Sequence, residues 1–381
     1  MQIKHLSFAA LAATTSAQSL TQALARQPQL SNLTTYLNLF PSFVSQLESL
    51  SNITLLAPDN QAFNALLGNN NALASNTGLI QALFSYHVLN GSYANFSSSP
   101  AFIPTALMNT TYANVTGGQV VEAVGTSNGS TFYTGLLNNA STIGNVSNFT
   151  GGSIHIIDSF LTIPENCSQT AIELGTSSLV GALEAANLVS AVDGLSDVTV
   201  FVPNNRAFQD IAGTLATLPI ANVTNILEYH VINGTVGYST ALSNMTLTTL
   251  QGGNLRITVE NGTVFVNSAR VIVPNVLVAN GVIHVIDNML NPANSTATAN
   301  PSQTSGSPAF SGASSASNAP FTSGVPTPTS SINTAGGGAA NSAATSASAA
   351  SSTSSGGAMP MKTGAMGAAA LFGGAAVVMN M

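Results

Sequence analysis

Three sequence landmarks occur twice in this chain, in the same order. Ile53–Phe63 reads I-T-L-L-A-P-D-N-Q-A-F, and Val198–Phe208 reads V-T-V-F-V-P-N-N-R-A-F. Tyr86-His87-Val88-Leu89-Asn90-Gly91 is answered by Tyr229-His230-Val231-Ile232-Asn233-Gly234. Gly152-Ser153-Ile154-His155-Ile156-Ile157-Asp158 returns as Gly281-Val282-Ile283-His284-Val285-Ile286-Asp287. A period above about 100 residues exceeds the ~20–50 of solenoid units, so each copy is a whole domain. A residue with a role in one copy should hold the same role in the other.

Repeat one spans 18–164. Its Ser19–Leu50 region carries apolar residues at helical intervals. Ile53–Ala57 reads as a short buried strand ended by Pro58. Asp59 or Asn60 then caps a helix through Phe63, and Asn76–Phe84 forms another leading into Tyr86-His87. Repeat two spans 168–292. It predicts helices at Leu179–Val192, Asn205–Leu215 and Val223–Glu228. Strands are expected at Val198–Val202, Leu255–Val259, Thr263–Asn267, Val271–Val278 and Val282–Ile286. Asn261-Gly262 between alternating runs predicts a type I′ hairpin. Helices first and strands later favour an α+β fold over a doubly wound sheet. Repeat one is longer between Gly117-Gly118 and His155 than repeat two between Gly252-Gly253 and His284, which reads as a glycosylated loop insertion.

The strand–Pro–helix start ending in Ala-Phe, the Tyr-His pair and the Gly-x-Ile-His-x-Ile-Asp strand together resemble the fasciclin domain, a cell-surface and matrix module. The resemblance covers about residues 18–292. It implies two tandem domains, each a β-wedge or sandwich with a cluster of N-terminal helices. The motif residues Pro58, Phe63, His155, Asp158, Pro203, Phe208, His284 and Asp287 take mainly structural roles. One departure is that Asp59 and Asn204 stand where the family commonly has Thr or Ser; both are good N-caps. The resemblance also implies a partner contact at Tyr86, His87, Tyr229 and His230. A buried Tyr and His beside a strand are equally good core residues.

The two ends read as addresses. Residues 1–17 combine Lys4-His5, an apolar run Leu6–Ala13 and a small-residue site ending at Ala17, the pattern of a secretory signal peptide. That run is too short to span ~30 Å of hydrocarbon. Residues 293–355 are a low-complexity run dominated by Ser, Ala, Thr, Gly, Pro and Asn, without a charged residue. Such a segment cannot bury enough apolar surface to offset ordering entropy, so a disordered, O-glycosylated stalk is expected. Small residues, a spacer and the weakly apolar tail in 356–381 form a glycolipid (GPI) attachment signal, with Ser354 or Ser355 as the attachment site.

Charge is sparse, at 5% of residues. Both lysines, Lys4 and Lys362, lie in segments expected to be removed. The remainder holds four arginines against thirteen acids, a net of −9, which excludes a basic nucleic-acid surface. Glycans would supply the missing solubility. Asn-x-Ser/Thr acceptors stand at Asn32, Asn90, Asn95, Asn109, Asn114, Asn128, Asn139, Asn222, Asn233, Asn244, Asn261 and Asn294. Four more, Asn52, Asn145, Asn148 and Asn166, are crowded or sit against structured segments.

Chemistry finds little support. His87, His155, His230 and His284 lack the converging spacing of a zinc site. His155 and Asp158 lie on opposite faces of a strand at that spacing. Gly-x-Ser-x-Gly does not occur with the strand–turn–helix context of a nucleophile elbow, and the Gly-Gly pairs lack the Lys-Ser/Thr of a phosphate loop. The lone Cys167 excludes an intrachain disulfide; as an exposed thiol it would link two chains, and as a buried one it would be inert. The sequence therefore predicts a non-enzymatic surface glycoprotein without cofactor or metal. It would sit at the outer leaflet of the plasma membrane or in the cell wall and contact a cell-surface or matrix protein or glycan, homophilic contact included. The alternative is a binding module that takes a small apolar ligand or glycan between helices and wedge.

Overall fold

The structure is a computed structural model that describes residues 18–67, 76–302 and 308–329. In the first domain the helices α1 (Leu20–Ala25), α2 (Ser31–Leu37) and α3 (Pro41–Ser49) lead into strand β1 (Ile53–Pro58). Then come α4 (Asn60–Leu67), α5 (Thr77–Tyr86), β2 (Val88–Asn90), β3 (Ala101–Pro104), β4 (Val120–Thr126), β5 (Gly129–Tyr133), β6 (Asn139–Ser141), β7 (Ser147–Phe149) and β8 (Gly152–Ile157). The second domain opens with α6 (Cys167–Glu173), α7 (Ser177–Ala185) and α8 (Val189–Gly194), then β9 (Val198–Pro203). It continues with α9 (Asn205–Asp210), α10 (Ala212–Leu215), α11 (Ile220–Tyr229), β10 (Val231–Ile232), β11 (Met245–Thr248), β12 (Asn254–Glu260), β13 (Thr263–Val266), β14 (Ala269–Val278) and β15 (Gly281–Ile286).

The first and third landmarks meet as the central parallel strand pair of each domain. Strand β1 lies beside β8 with Leu56 opposite His155; β9 lies beside β15 with Phe201 opposite His284. Both strands of each pair are buried on both faces, as their unbroken apolar runs require. The glycines that open β8 and β15 are needed sterically. A Cβ on Gly152 would collide with the carbonyl of Ile53, and one on Gly281 with that of Val198.

The duplication is not carried through the sheets. The second domain has one sheet in the order β10-β9-β15-β14-β13-β12-β11, because the long β14 bridges both halves. In the first domain the matching stretch is split into β6 and β7, leaving two sheets, β2-β1-β8-β7 and β3-β4-β5-β6. Residues 142–146 separate them, and they carry the Asn145 acceptor in the segment read as an insertion.

Two expected helices are shorter than their apolar pattern. Leu179–Val192 breaks into α7 and α8 because Asn187 takes φ +57°, the left-handed conformation that ends helices. Asn205–Leu215 breaks into α9 and α10 at Ile211. The Asn261-Gly262 turn has the two positive φ values, 51° and 77°, of a type I′ hairpin. Among the described residues no helix is long and apolar enough to cross a membrane.

The expectation of a stalk from residue 293 needs correction at 308–329. Ala309 is buried, and Phe310, Ala313, Phe321 and Val325 pack against the core of the second domain. Composition alone missed these few anchors. Residues 303–307 and 330–355 of the expected stalk, Ser354 and Ser355 among them, and the proposed signals at 1–17 and 356–381 lie outside the described residues.

Candidate functional site

The second landmark is a buried staple. Tyr86, His87, Tyr229 and His230 are each at most 1% exposed. His87 ends α5, where carbonyls lack helical partners; its Nδ1 donates to the Leu83 carbonyl at 2.7 Å. Its Nε2 accepts from the Leu161 amide at 2.9 Å, just beyond β8. His230 repeats this at the end of α11: Nδ1 donates to Ile226 O at 2.7 Å, and Nε2 accepts from Leu290 N at 3.0 Å. An amide aimed at Nε2 fixes the proton on Nδ1 and the ring as neutral. Burial lowers both pKa values to about 4. The hydroxyls of Tyr86 and Tyr229 donate to the carbonyls of Val120 and Asn254. The four residues therefore join helix to sheet, and where a partner contact at Tyr86, His87, Tyr229 and His230 was expected the folded domains bury all four.

The third landmark also acts internally. His155 Nε2 donates to the Tyr93 carbonyl at 2.7 Å and His284 Nε2 to the Gly237 carbonyl at 2.8 Å, pinning the loop that follows β2 or β10. Burial lowers the pKa of His284 to about 4 and lowers that of His155 as well. Asp158 accepts from Ser141 N and Asp287 from Arg270 N, both at 2.8 Å, so each carboxylate holds the neighbouring strand. In the first landmark, Asp59 and Asn204 cap their helices through Ala62 N and Ala207 N. Pro58 and Pro203 end the strands, and Phe63 and Phe208 are buried. Among the described residues no group of three or more His, Cys, Asp or Glu is placed to hold a metal.

Cys167 is buried; its Sγ donates to Asn280 Oδ1 at 3.1 Å, and burial pushes its pKa up. This removes the exposed-thiol reading. Native protein is expected to resist maleimide while urea-unfolded protein takes up one label per chain; labelling of native protein at the unfolded rate would contradict the assignment.

Two features were missed in the sequence. The first is a groove of about 330 Å³ in the first domain, lined by Phe96, Thr126, Ser130, Asn145 and His155 among others. Its lining is mostly polar and it lies on the sheet side, unlike the apolar pocket expected between helices and wedge. The second is the seam between the domains. The ring of Phe102 stacks on that of Tyr238 at 4.1 Å and 8°. Gln119 Nε2 donates to Val278 O at 3.0 Å, and Thr116 donates through N and Oγ1 to Asp197. Asn114 Nδ2 donates to Leu195 O at 3.0 Å, which places this acceptor, half-buried, in the seam. Glu122, opposite Phe102 on β4, is fully buried with neither carboxyl oxygen hydrogen-bonded, and burial raises its pKa to about 7. The signal for it was a lone acid inside V-V-E-A-V.

The other acceptors lie at the surface. Asn90, Asn95, Asn109, Asn128, Asn139, Asn222, Asn233, Asn244 and Asn261 are exposed; Asn32 and Asn294 are half-buried.

The chain is a tandem pair of α+β wedges with duplicated internal staples. The Fasciclin domain model matches residues 28–164 and 174–292, and the chain belongs to the fasciclin-domain family. It is 35% identical to a fasciclin-like arabinogalactan protein of Arthroderma benhamiae, over 88% of this chain and 81% of that protein. It is 30% identical to human periostin, over 37% of this chain and 18% of that protein. Among solved structures, a FAS1 domain pair from the insect cell adhesion molecule fasciclin I aligns over 71% of this chain and 97% of that chain, with TM-score 0.33 and 19% identity.

Proposed function

We propose that the chain is a secreted, GPI-anchored glycoprotein for cell adhesion or cell-wall organisation, without catalytic activity. One observation carries the reading: all four landmark histidines are engaged inside the domains, and most of the acceptor asparagines are exposed instead. The surface available to a partner is therefore nearly uncharged and sugar-bearing. Its fungal relatives are named as arabinogalactan proteins. Many copies anchored in one plane convert weak contacts into avidity, so no tight pocket is required.

The anchor has a direct test. A phosphatidylinositol-specific phospholipase should move the protein from the membrane fraction into the supernatant. Retention on the membrane, when a known glycolipid-anchored control is released, would overturn the anchor. For adhesion, beads coated with glycosylated protein should cluster or attach to cells, and enzymatic removal of N-glycans should weaken attachment. Beads that bind neither cells, matrix nor one another would rule out direct adhesion.

A further inference from the structure

We propose that the helical face of the second domain is a peptide-docking groove held closed by the chain's own residues 308–329. The ligand class it fits is an extended, uncharged segment of small residues with two aromatic anchors, which the same segment of a second copy supplies. The groove runs over α6, α7, α9 and α10, and the segment is tied along its length. Asn291 Nδ2 donates to Ala309 O at 3.0 Å; Gly213 N donates to Ser314 O and Ala316 N to Gln209 O, both at 3.0 Å. At the far end Thr329 donates through N and Oγ1 to the buried carboxylate of Glu173, the latter at 2.7 Å. Phe310 and Phe321 are the anchors.

The helices are shaped for this occupant. A Cβ on Gly181 would strike the Phe321 carbonyl, and one on Gly213 the Ser314 hydroxyl. Neither glycine has a positive φ, so backbone conformation does not demand them. Each weakens its helix by about 1 kcal/mol relative to alanine, so close approach of another chain is the reason that remains. The matching helix of the first domain, α2, has no glycine. Phe321 itself is held at φ +61°, a conformation an aromatic residue seldom adopts unless packing enforces it. Between its ends the segment has no charge, so the groove selects by shape, by apolar anchors and by backbone hydrogen bonds.

The test uses the full chain. In wild type, the amides of Gly213 and Ala316 should exchange at least about 100-fold more slowly than in an unstructured peptide. In a Phe310→Ser/Phe321→Ser variant that protection should be lost, and a fluorescein-labelled peptide of sequence 308–329 should bind the variant but not wild type. Random-coil exchange across 310–329 in wild type would overturn the proposal. So would a folded variant with opened amides that ignores the peptide. Should the double variant fail to fold, Gly181→Ala serves: the added methyl should release protection at Ala316 and Thr329 and, because it meets the peptide's own Phe321 carbonyl, should leave the labelled peptide unbound. A Gly181→Ala protein with unchanged protection at both amides would count against the groove.

Discussion

Replacing His230 with alanine is expected to destabilise the second domain by about 3–5 kcal/mol, among the larger effects of any single substitution. Three terms combine. The ring is fully buried, so its loss leaves a cavity. The Leu290 amide loses its acceptor, and the Ile226 carbonyl at the helix end loses its donor. Each orphaned group costs about 1–3 kcal/mol when water cannot reach it. His87→Ala should act alike on the first domain through Leu83 and Leu161. Urea unfolding of each variant checks the size. The same experiment separates the staple from a recognition role. A surface contact would lose attachment at unchanged stability, whereas the staple loses stability first. A His230→Ala protein as stable as wild type would refute it.

The duplication made much of this fold legible, because a landmark present twice in one chain is constrained by its own domain. Strand, cap and aromatic in the first motif lie where the short apolar run and the Asp59 and Asn204 caps put them. The third motif forms the expected strand because Gly152 and Gly281 leave room for the neighbouring carbonyl. The Tyr-His pair was placed at the right turn but assigned an outward role as well. Periodicity cannot tell a histidine that hydrogen-bonds two backbone groups from one that faces solvent.

Features that depend on one copy meeting something else were not legible. The seam pairs Phe102 with Tyr238, residues 136 positions apart with no shared motif. The docked segment has the composition of a disordered tail. Its contacts come from two phenylalanines, a few backbone hydrogen bonds and two helical glycines that read simply as helix weaknesses. Low complexity predicts a lack of core within a segment, and says nothing of a core that another domain lends it.

Acid should weaken the two domains unequally. His87, His230 and His284 have native pKa values of about 4 against an ordinary value of 6.5. Each therefore contributes stability that is complete above pH 6.5 and is lost as pH falls toward 4, to a limit of about 3 kcal/mol per ring at 1.36 kcal/mol per unit. Protonation also turns the Nε2 of His87 or His230 from acceptor to donor, against the amide of Leu161 or Leu290. Glu122 has the opposite sign. Its native pKa of about 7 lies above the usual 4.5, so its contribution is complete below pH 4.5 and is lost as pH rises through 7. In the first domain Glu122 offsets His87 between pH 4.5 and 6.5, which leaves the acid loss of His155, whose pKa burial also lowers. In the second domain His230 and His284 act with the same sign; Glu165, in the link between the domains, has a pKa also raised to about 7 but is partly solvated and offsets them only in part. Hydrogen exchange from pH 7 to 4.5, corrected for intrinsic rates, should show the second domain losing more protection than the first. Glu122→Gln should stabilise the first domain above pH 7, where the buried carboxylate would otherwise ionise, and should uncover the acid slope of His87. Equal acid loss in the two wild-type domains, or a Glu122→Gln protein with an unchanged pH profile, would show that these buried groups do not set the acid response.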